Sequence, residues 1–267
     1  ILILCLMLAF GMSILTSGCG KSKKDDDYFP PPAGTGTGPG TGTNPGGFKV
    51  VVANFSATPT HGIGSVVAQF TDLSSGVVTS WAWDFDCNGV IDSNFQHPVH
   101  TFNTVGVYTV CLTVTGPDGS DTATKVTYIQ VANNIRTVDL GGGGDFTTIQ
   151  DAVDASSDGD LILVSNGTYV GTGNKDIHFD GKRICLKSEN GPENCIIDCE
   201  GSGRGFDFQI SGETLESVID GFTIQNADPG SGEGGAIYLY ASDATISNCI
   251  IKNNTTYLII LAVPTLL

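Results

Sequence analysis

Apolar positions along this chain recur with strand-like spacing, and stretches with helical spacing are scarce. Three segments repeat one pattern: NCIIDC at 194–199, GFTIQN at 221–226 and NCIIKN at 248–253. Ile196, Thr223 and Ile250 are 27 residues apart, and Cys195, Phe222, Cys249 and Ile197, Ile224, Ile251 keep the same step. A fixed period of this length marks a solenoid, in which each repeat buries its apolar side only against its neighbours. The unit is rich in β-branched residues, which predicts one strand per repeat and a stack of parallel coils. GFDFQI at 205–210 and GAIYLY at 235–240 read as second-face strands of successive coils. LILVS at 161–165 and ICLKS at 184–188, 23 apart, read as an earlier and less regular pair. Asn226 and Asn253 share a register and predict a stacked amide ladder. Cys195 and Cys249 fall on the apolar register, where a thiol acts as a small buried hydrophobe. Cys185 and Cys199 could pair with each other or with a neighbour.

Upstream, residues 48–132 alternate differently. The runs FKVVVANFSA, SVVAQFTD, VTSWAWDF, GVYTVCLTVTG and TATKVTYIQV are separated by turn residues and predict a small β-sandwich. Tyr108, Val110, Leu112 and Val114 form the buried side of one strand, and Trp83 is the expected core aromatic. Residues 133–144 read as a linker. One helix is predicted over 145–156, with Thr147 and Gln150 as a capping box and Phe146, Ile149 and Val153 on its apolar stripe. The fold class is therefore all-β: a small β-sandwich, then a parallel β-helix over 133–256 that opens on a short helix.

The two ends differ. Residues 1–19 are an apolar run closing in LTSGC, a secretory segment rather than a fold element. With neither an initiator Met nor basic residues before it, the chain is expected to begin inside this signal. Residues 20–47 are charged and then rich in Pro, Gly and Thr, which predicts a disordered tether. Residues 257–267 lack the alternation of the coils and are expected to be an atypical apolar tail, with further coils missing after 256. The composition supports this organisation: 36 Gly, and 28 acidic against 12 basic residues for a net charge of −16. Such a chain repels phosphate, so a nucleic-acid partner is excluded.

Several resemblances sharpen the reading. LTSGC is similar to the bacterial lipoprotein signal, with Thr16 where Leu is usual. It implies lipidation of Cys19, a membrane partner through that anchor, and a place in the bacterial envelope; Gly20 favours the outer membrane. SWAWDF, HPVHTF and GVYTVCLTVTG, in that order, resemble a PKD domain, an extracellular Ig-like module. The resemblance implies spacing or contact with protein or polysaccharide. It also makes the strands of Cys87 and Cys111 neighbours, so a surface Cys87–Cys111 disulfide is expected in an exported chain. His100 occupies that family's HT position and is expected to be structural. Asp84, Asp86, Asn88, Gly89 and Asp92 depart from the family's short turn and spell the first nine positions of a calcium loop. Phe95 stands where the bidentate Glu would be, so a weak Ca²⁺ site competes with an Asx-rich turn.

The segment GDFTTIQDAVDASSDGDLILVSNGTYVG resembles the opening of pectin-lyase-like right-handed β-helix proteins, which together with the PKD resemblance implies an Ig-like sandwich followed by a right-handed parallel β-helix with a short N-terminal capping helix. It is also similar to pectin methylesterases, but Gly171 replaces their Glu and their catalytic segments have no counterpart. Lys182, Arg183, Arg204 and Lys252, with Asp198, Asp207 and Asp220, are read as not falling on one register, and no residue is assigned to catalysis. Two functions are weighed: a surface protein that contacts polysaccharide, matrix or a cell-surface partner without catalysis, and a polysaccharide lyase, hydrolase or esterase whose catalytic coils lie downstream.

Overall fold

The computed structural model describes residues 50–209, 211–230 and 234–255, and the backbone of two short strands at 27–28 and 258–261. The signal at 1–19 with Cys19 lies outside the described residues, and so does the tether at 20–47 apart from residues 27–28. Strand β1 (Asp27–Tyr28) pairs antiparallel with the distant segment Ile250–Lys252.

The sandwich holds β2 (Phe55–Thr58), β3 (His61–Ile63), β4 (Val66–Asp72), β5 (Ser80–Asp84), β6 (Val99–Phe102), β7 (Gly106–Gly116) and β8 (Gly119–Ala132). One sheet has the order β2-β4-β6, the other β3-β8-β7-β5. Alternation places Val66, Ala68 and Phe70 of β4 inside and Val67, Gln69 and Thr71 outside. Trp83 is fully buried, with ring centroids 5.2 Å from Phe55 and 5.3 Å from Phe70. Its indole Nε1 donates to the Phe95 carbonyl at 2.8 Å, so burial leaves no orphan donor.

Asn133 and Asn134 alone separate β8 from β9 (Ile135–Val138), so the expected linker at 133–144 already contains the first strand of the stack. The helix α1 (Ile149–Asp154) follows. Its N-cap is Thr148, not Thr147: the Thr148 hydroxyl accepts from Asp151 N and donates to the Asp151 carboxylate at 2.6 Å. Gln150 is drawn away from capping by the first coil, donating to His178 O at 3.0 Å and accepting from His178 N at 3.1 Å. Ile149, Ala152 and Val153 bury the apolar stripe and close the end of the stack.

The coils contribute β10 (Leu161–Val164), β11 (Gly167–Tyr169), β12 (Cys185–Ser188), β13 (Cys195–Asp198), β14 (Phe206–Gln209), β15 (Val218–Asp220), β16 (Thr223–Gln225), β17 (Ile237–Tyr240), β18 (Thr245–Ser247), β19 (Ile250–Lys252) and β20 (Leu258–Leu261). They form three walls: β9-β10-β12-β15-β18, then β11-β13-β16-β19 with β1 beside it, then β14-β17-β20. Among the described residues, every pairing between two of these coil strands is parallel. Ile196, Thr223 and Ile250 are direct partners across the second wall. LILV and CLKS belong to the first wall rather than to an irregular part of that series, and Leu161 pairs with Cys185, an offset of 24 instead of 23. Leu258–Leu261 joins the third wall, Leu258 beside Ile237, so the expected apolar tail contributes a strand.

Inside the stack, Ile162, Leu186 and Ile219 line up from the first wall and Ile197, Ile224 and Ile251 from the second. Gly221 and Asn248, 27 apart and both left-handed, turn the chain from the first wall into the second. Asn226 and Asn253 are left-handed as well. Asn226 turns its amide to the Asp198 carboxylate at 3.0 Å instead of stacking on Asn253. The buried amide is Asn254, which accepts from Ala227 N at 2.8 Å and donates to Ile224 O at 3.1 Å. Cys185, Cys195, Cys199 and Cys249 are free and buried, so Cys185 and Cys199 do not pair. Burial pushes each of these thiols up to about 12, which keeps them protonated and unreactive.

The outward side of the first wall is apolar where solvent would normally meet a coil. Leu161, Leu163, Cys185 and Val218 pack against Ala132 and Val107 of the sandwich. Beside them Leu163, Lys187, Asp220 and Ser247 are successive partners in one column. Lys187 binds Asp220 and reaches the Thr127 carbonyl of β8 at 3.3 Å, and the Ser247 and Thr127 hydroxyls meet at 3.0 Å. Thr127 is left-handed, which interrupts β8 at the point where it is bound.

Candidate functional site

Two places carry chemistry on the surface. The first is the loop after β5. Asp84, Asp86 and Asp92 offer carboxylate oxygens that all lie within 4.8 Å of one another. Asp84 accepts from Gly89 N at 2.7 Å and Asn88 N at 3.1 Å, and Asp92 accepts from Phe85 N at 2.7 Å. Asn88 uses its side-chain oxygen on Val90 N at 2.8 Å and its NH₂ on Asp86 at 2.9 Å. The loop is thus an Asx-satisfied turn whose three carboxylates nevertheless converge. A disulfide joins Cys87 to Cys111 and fixes the loop to β7. His97 Nδ1 accepts from Asp72 N at 3.1 Å, and His100 stacks on Phe85 with centroids 4.2 Å apart.

The second place is the outer side of the third wall. In β17, Ile237 and Leu239 point into the core, which leaves Tyr238 and Tyr240 half-exposed outside. Their rings are parallel to within 2°, with centroids 6.3 Å apart. On β14 their direct partners are Asp207 and Gln209. The Arg204 guanidinium lies 4.7 Å over the Tyr238 ring, donates to Asp207 at 3.2 Å, and bonds the Gly234 carbonyl at 3.0 Å. Gln209 donates to both Asp207 oxygens, at 2.7 and 2.9 Å. Gly234 is required here: a Cβ would sit 2.7 Å from Tyr238 Cδ2, and its φ of +66° strains any other residue. The IYLY alternation is the sequence signal for this face: Ile237 and Leu239 alternate with the two tyrosines.

The remaining charged candidates are dispersed. Asp198, Gln225 and Lys252 are successive partners in one column of the second wall, so Asp198 and Lys252 do share a register, two strands apart. Burial raises the Asp198 carboxyl, but hydrogen bonds from Glu200 N, Asn226 and Gln225 outweigh it and hold the group below the ordinary carboxylate range. Asp198 is therefore a stable anion rather than a poised acid. Arg183 pairs with Asp158 at 2.7 Å and Glu216 at 3.3 Å, and Lys182 donates to Val153 O at 2.8 Å. Asp154, His178 and Asp180 form a second, exposed group of converging ligand atoms at the capped end. A groove of about 290 Å³ runs beside Glu200, Asn226, Ala227, Asp228 and Asn253. A cleft of about 600 Å³ lies between sandwich and stack, over Val107, Ala132, Leu161 and Val218.

Residues 50–131 match the family model described as PKD domain. Among solved structures, the PKD1 domain of the Vibrio cholerae metalloprotease PrtV is 32% identical, covering 30% of this chain and 95% of that one, with a TM-score of 0.26. The PKD1 domain of Vibrio anguillarum Epp is also 32% identical, over 32% of this chain and 98% of its own, with a TM-score of 0.26. A family 28 exopolygalacturonase of Yersinia enterocolitica is 13% identical, over 69% of this chain and 39% of its own, with a TM-score of 0.24. At that identity it bears no functional weight. Curated proteins give no match.

Proposed function

We propose that this chain, which carries a PKD domain at 50–131 joined directly to a parallel β-helix, is a non-catalytic glycan-contact protein of the bacterial envelope, anchored through lipid on Cys19. The observation that carries the reading is the pair of parallel, half-exposed tyrosines on the third wall, flanked by Asp207 and Gln209. Aromatic rings with a polar tip suit the apolar C–H faces and hydroxyl rims of sugars. The carboxylate beside the tyrosines already serves as an acceptor, Asp207 for Arg204 and Gln209, and so does Asp198 of the second wall for Asn226. The test is a glycan array with the full chain and with Tyr240→Ala, run beside a reducing-end assay. Binding that falls at least about tenfold in Tyr240→Ala supports it, as expected for a central aromatic anchor. Release of reducing ends would overturn the non-catalytic reading. Recovery of Cys19→Ala in normally processed, membrane-bound form would overturn the anchor.

A calcium ion in the 84–92 loop is a second proposal, favoured by the convergence of three carboxylates with only neutral donors between them. Oxygen-only donors suit Ca²⁺. Millimolar Ca²⁺ should raise the unfolding temperature, and Asp86→Asn should abolish the rise; an equal rise in the variant would refute the site.

A further inference from the structure

We infer that the Tyr238/Tyr240 face selects an uncharged glycan and rejects polyuronates; this rests on the glycan-contact reading and names its ligand class. A polyuronate presents a carboxylate on every sugar, and its recognition needs cations with donors to give. Among the described residues the cation at this face is Arg204, and it is already engaged. It bonds Asp207 at 3.2 Å and Gly234 O at 3.0 Å, and its flat side covers the Tyr238 ring at 4.7 Å. Its role is to hold Tyr238 in place. A second cation beside the turn at 199–202, Lys175, donates to Ser202 Oγ at 2.7 Å and Cys199 O at 3.1 Å, with Glu200 at 3.7 Å.

The acidic groups outnumber these two cations. Asp176 holds Arg204 N at 2.7 Å, and Asp198, Glu200, Asp207 and Asp228 occupy the strands and turns that lead to the face. The whole chain adds a field of −16. Polyanions are repelled by such a field, and the repulsion is strongest where salt is low, the Debye length being about 30 Å at 0.01 M and about 10 Å at 0.1 M. A neutral sugar does not feel it. What the face offers such a ligand is two parallel rings, two phenol hydroxyls and the Gln209 carbonyl oxygen, left as an acceptor because its NH₂ is turned onto Asp207. That set matches C–H faces and hydroxyls.

The experiment measures affinity of the full chain by calorimetry for cellohexaose, laminarihexaose and hexagalacturonate, at low and at high NaCl. The expected result is binding of at least one neutral hexasaccharide, indifferent to salt, at least about tenfold tighter than hexagalacturonate at low salt. Tyr240→Ala should remove it and Tyr240→Phe should keep most of it. Gln209→Ala gives an independent reduction if Tyr240→Ala proves unstable in a thermal melt. Tyr240-dependent binding of hexagalacturonate that equals or exceeds the neutral sugars would overturn the ligand class while leaving glycan contact standing. Binding of none of the three would overturn both.

Discussion

Removing the carboxylate of Asp220 should uncouple the two domains. Asp220 is 1% exposed and accepts from Lys187, from Ser247 Oγ at 2.9 Å and from Asn248 Nδ2 at 2.6 Å. In Asp220→Ala the Lys187 ammonium keeps one long bond, to Thr127 O at 3.3 Å, and the Asn248 amide loses its acceptor. Breaking a buried pair from one side costs about 3–5 kcal/mol. The Lys187 side chain retains 21% exposure, so water reaches the ammonium and the lower figure, about 3 kcal/mol, applies here. Lys187→Met strands the more deeply buried partner and should cost more. The double variant Lys187→Met/Asp220→Leu should recover much of the loss, because an apolar pair leaves no charge to desolvate. Both tryptophans, Trp81 and Trp83, lie in the PKD domain, so their fluorescence follows that domain while far-UV circular dichroism follows the whole chain. In urea the two signals should coincide for the parent protein and separate in Asp220→Ala. Coincident transitions with a change under about 0.5 kcal/mol would refute the idea that this column holds the junction.

Two further outcomes are expected. Asp72 and Asp198 both have folded-state carboxyls held below the ordinary range: burial raises each, but hydrogen bonds win, from Ser74, Gln96 and Trp81 at Asp72 and from Glu200 N, Asn226 and Gln225 at Asp198. Their stabilisation is complete above the unfolded carboxylate value of about 4 and disappears as pH falls through the lower folded values. Urea midpoints should therefore drop steadily below about pH 4, and less steeply in Asp198→Asn; identical slopes would contradict this assignment. Gly234→Ala should cost about 1–2 kcal/mol for its left-handed backbone and displace the Tyr238 ring. Glycan affinity should fall with it, and unchanged affinity would show that Tyr238 takes no part.

The solenoid was legible because its period is carried by residues that touch: Ile196, Thr223 and Ile250 are one another's neighbours in space. Errors arose where spacing underdetermined the partner. LILV and CLKS resemble the 27-residue series in composition, yet they form a different wall, and a strand's alternation does not say which wall it joins. Sequence places the cap one residue early because Thr147 and Thr148 are equally good hydroxyl acceptors for a helix N–H, and Gln150 is committed to His178. Asp198 and Lys252 obey the 27-residue step and could have been aligned by counting. The junction was out of reach. Nothing local tells Thr127 that Lys187 and Ser247 will lie opposite, and an apolar outward column reads like an apolar inward one. The tyrosine face needed only the question of which side of GAIYLY was outside.

The two-residue passage from β8 to β9 has a mechanical consequence. Asn133 and Asn134 leave no slack, and the sandwich rests on the same wall that its chain then continues. A pull applied where a ligand sits on the coils would reach the PKD domain as torque rather than be absorbed in a hinge. Under such a load the sandwich would act as a strut that fixes the direction of the first coils.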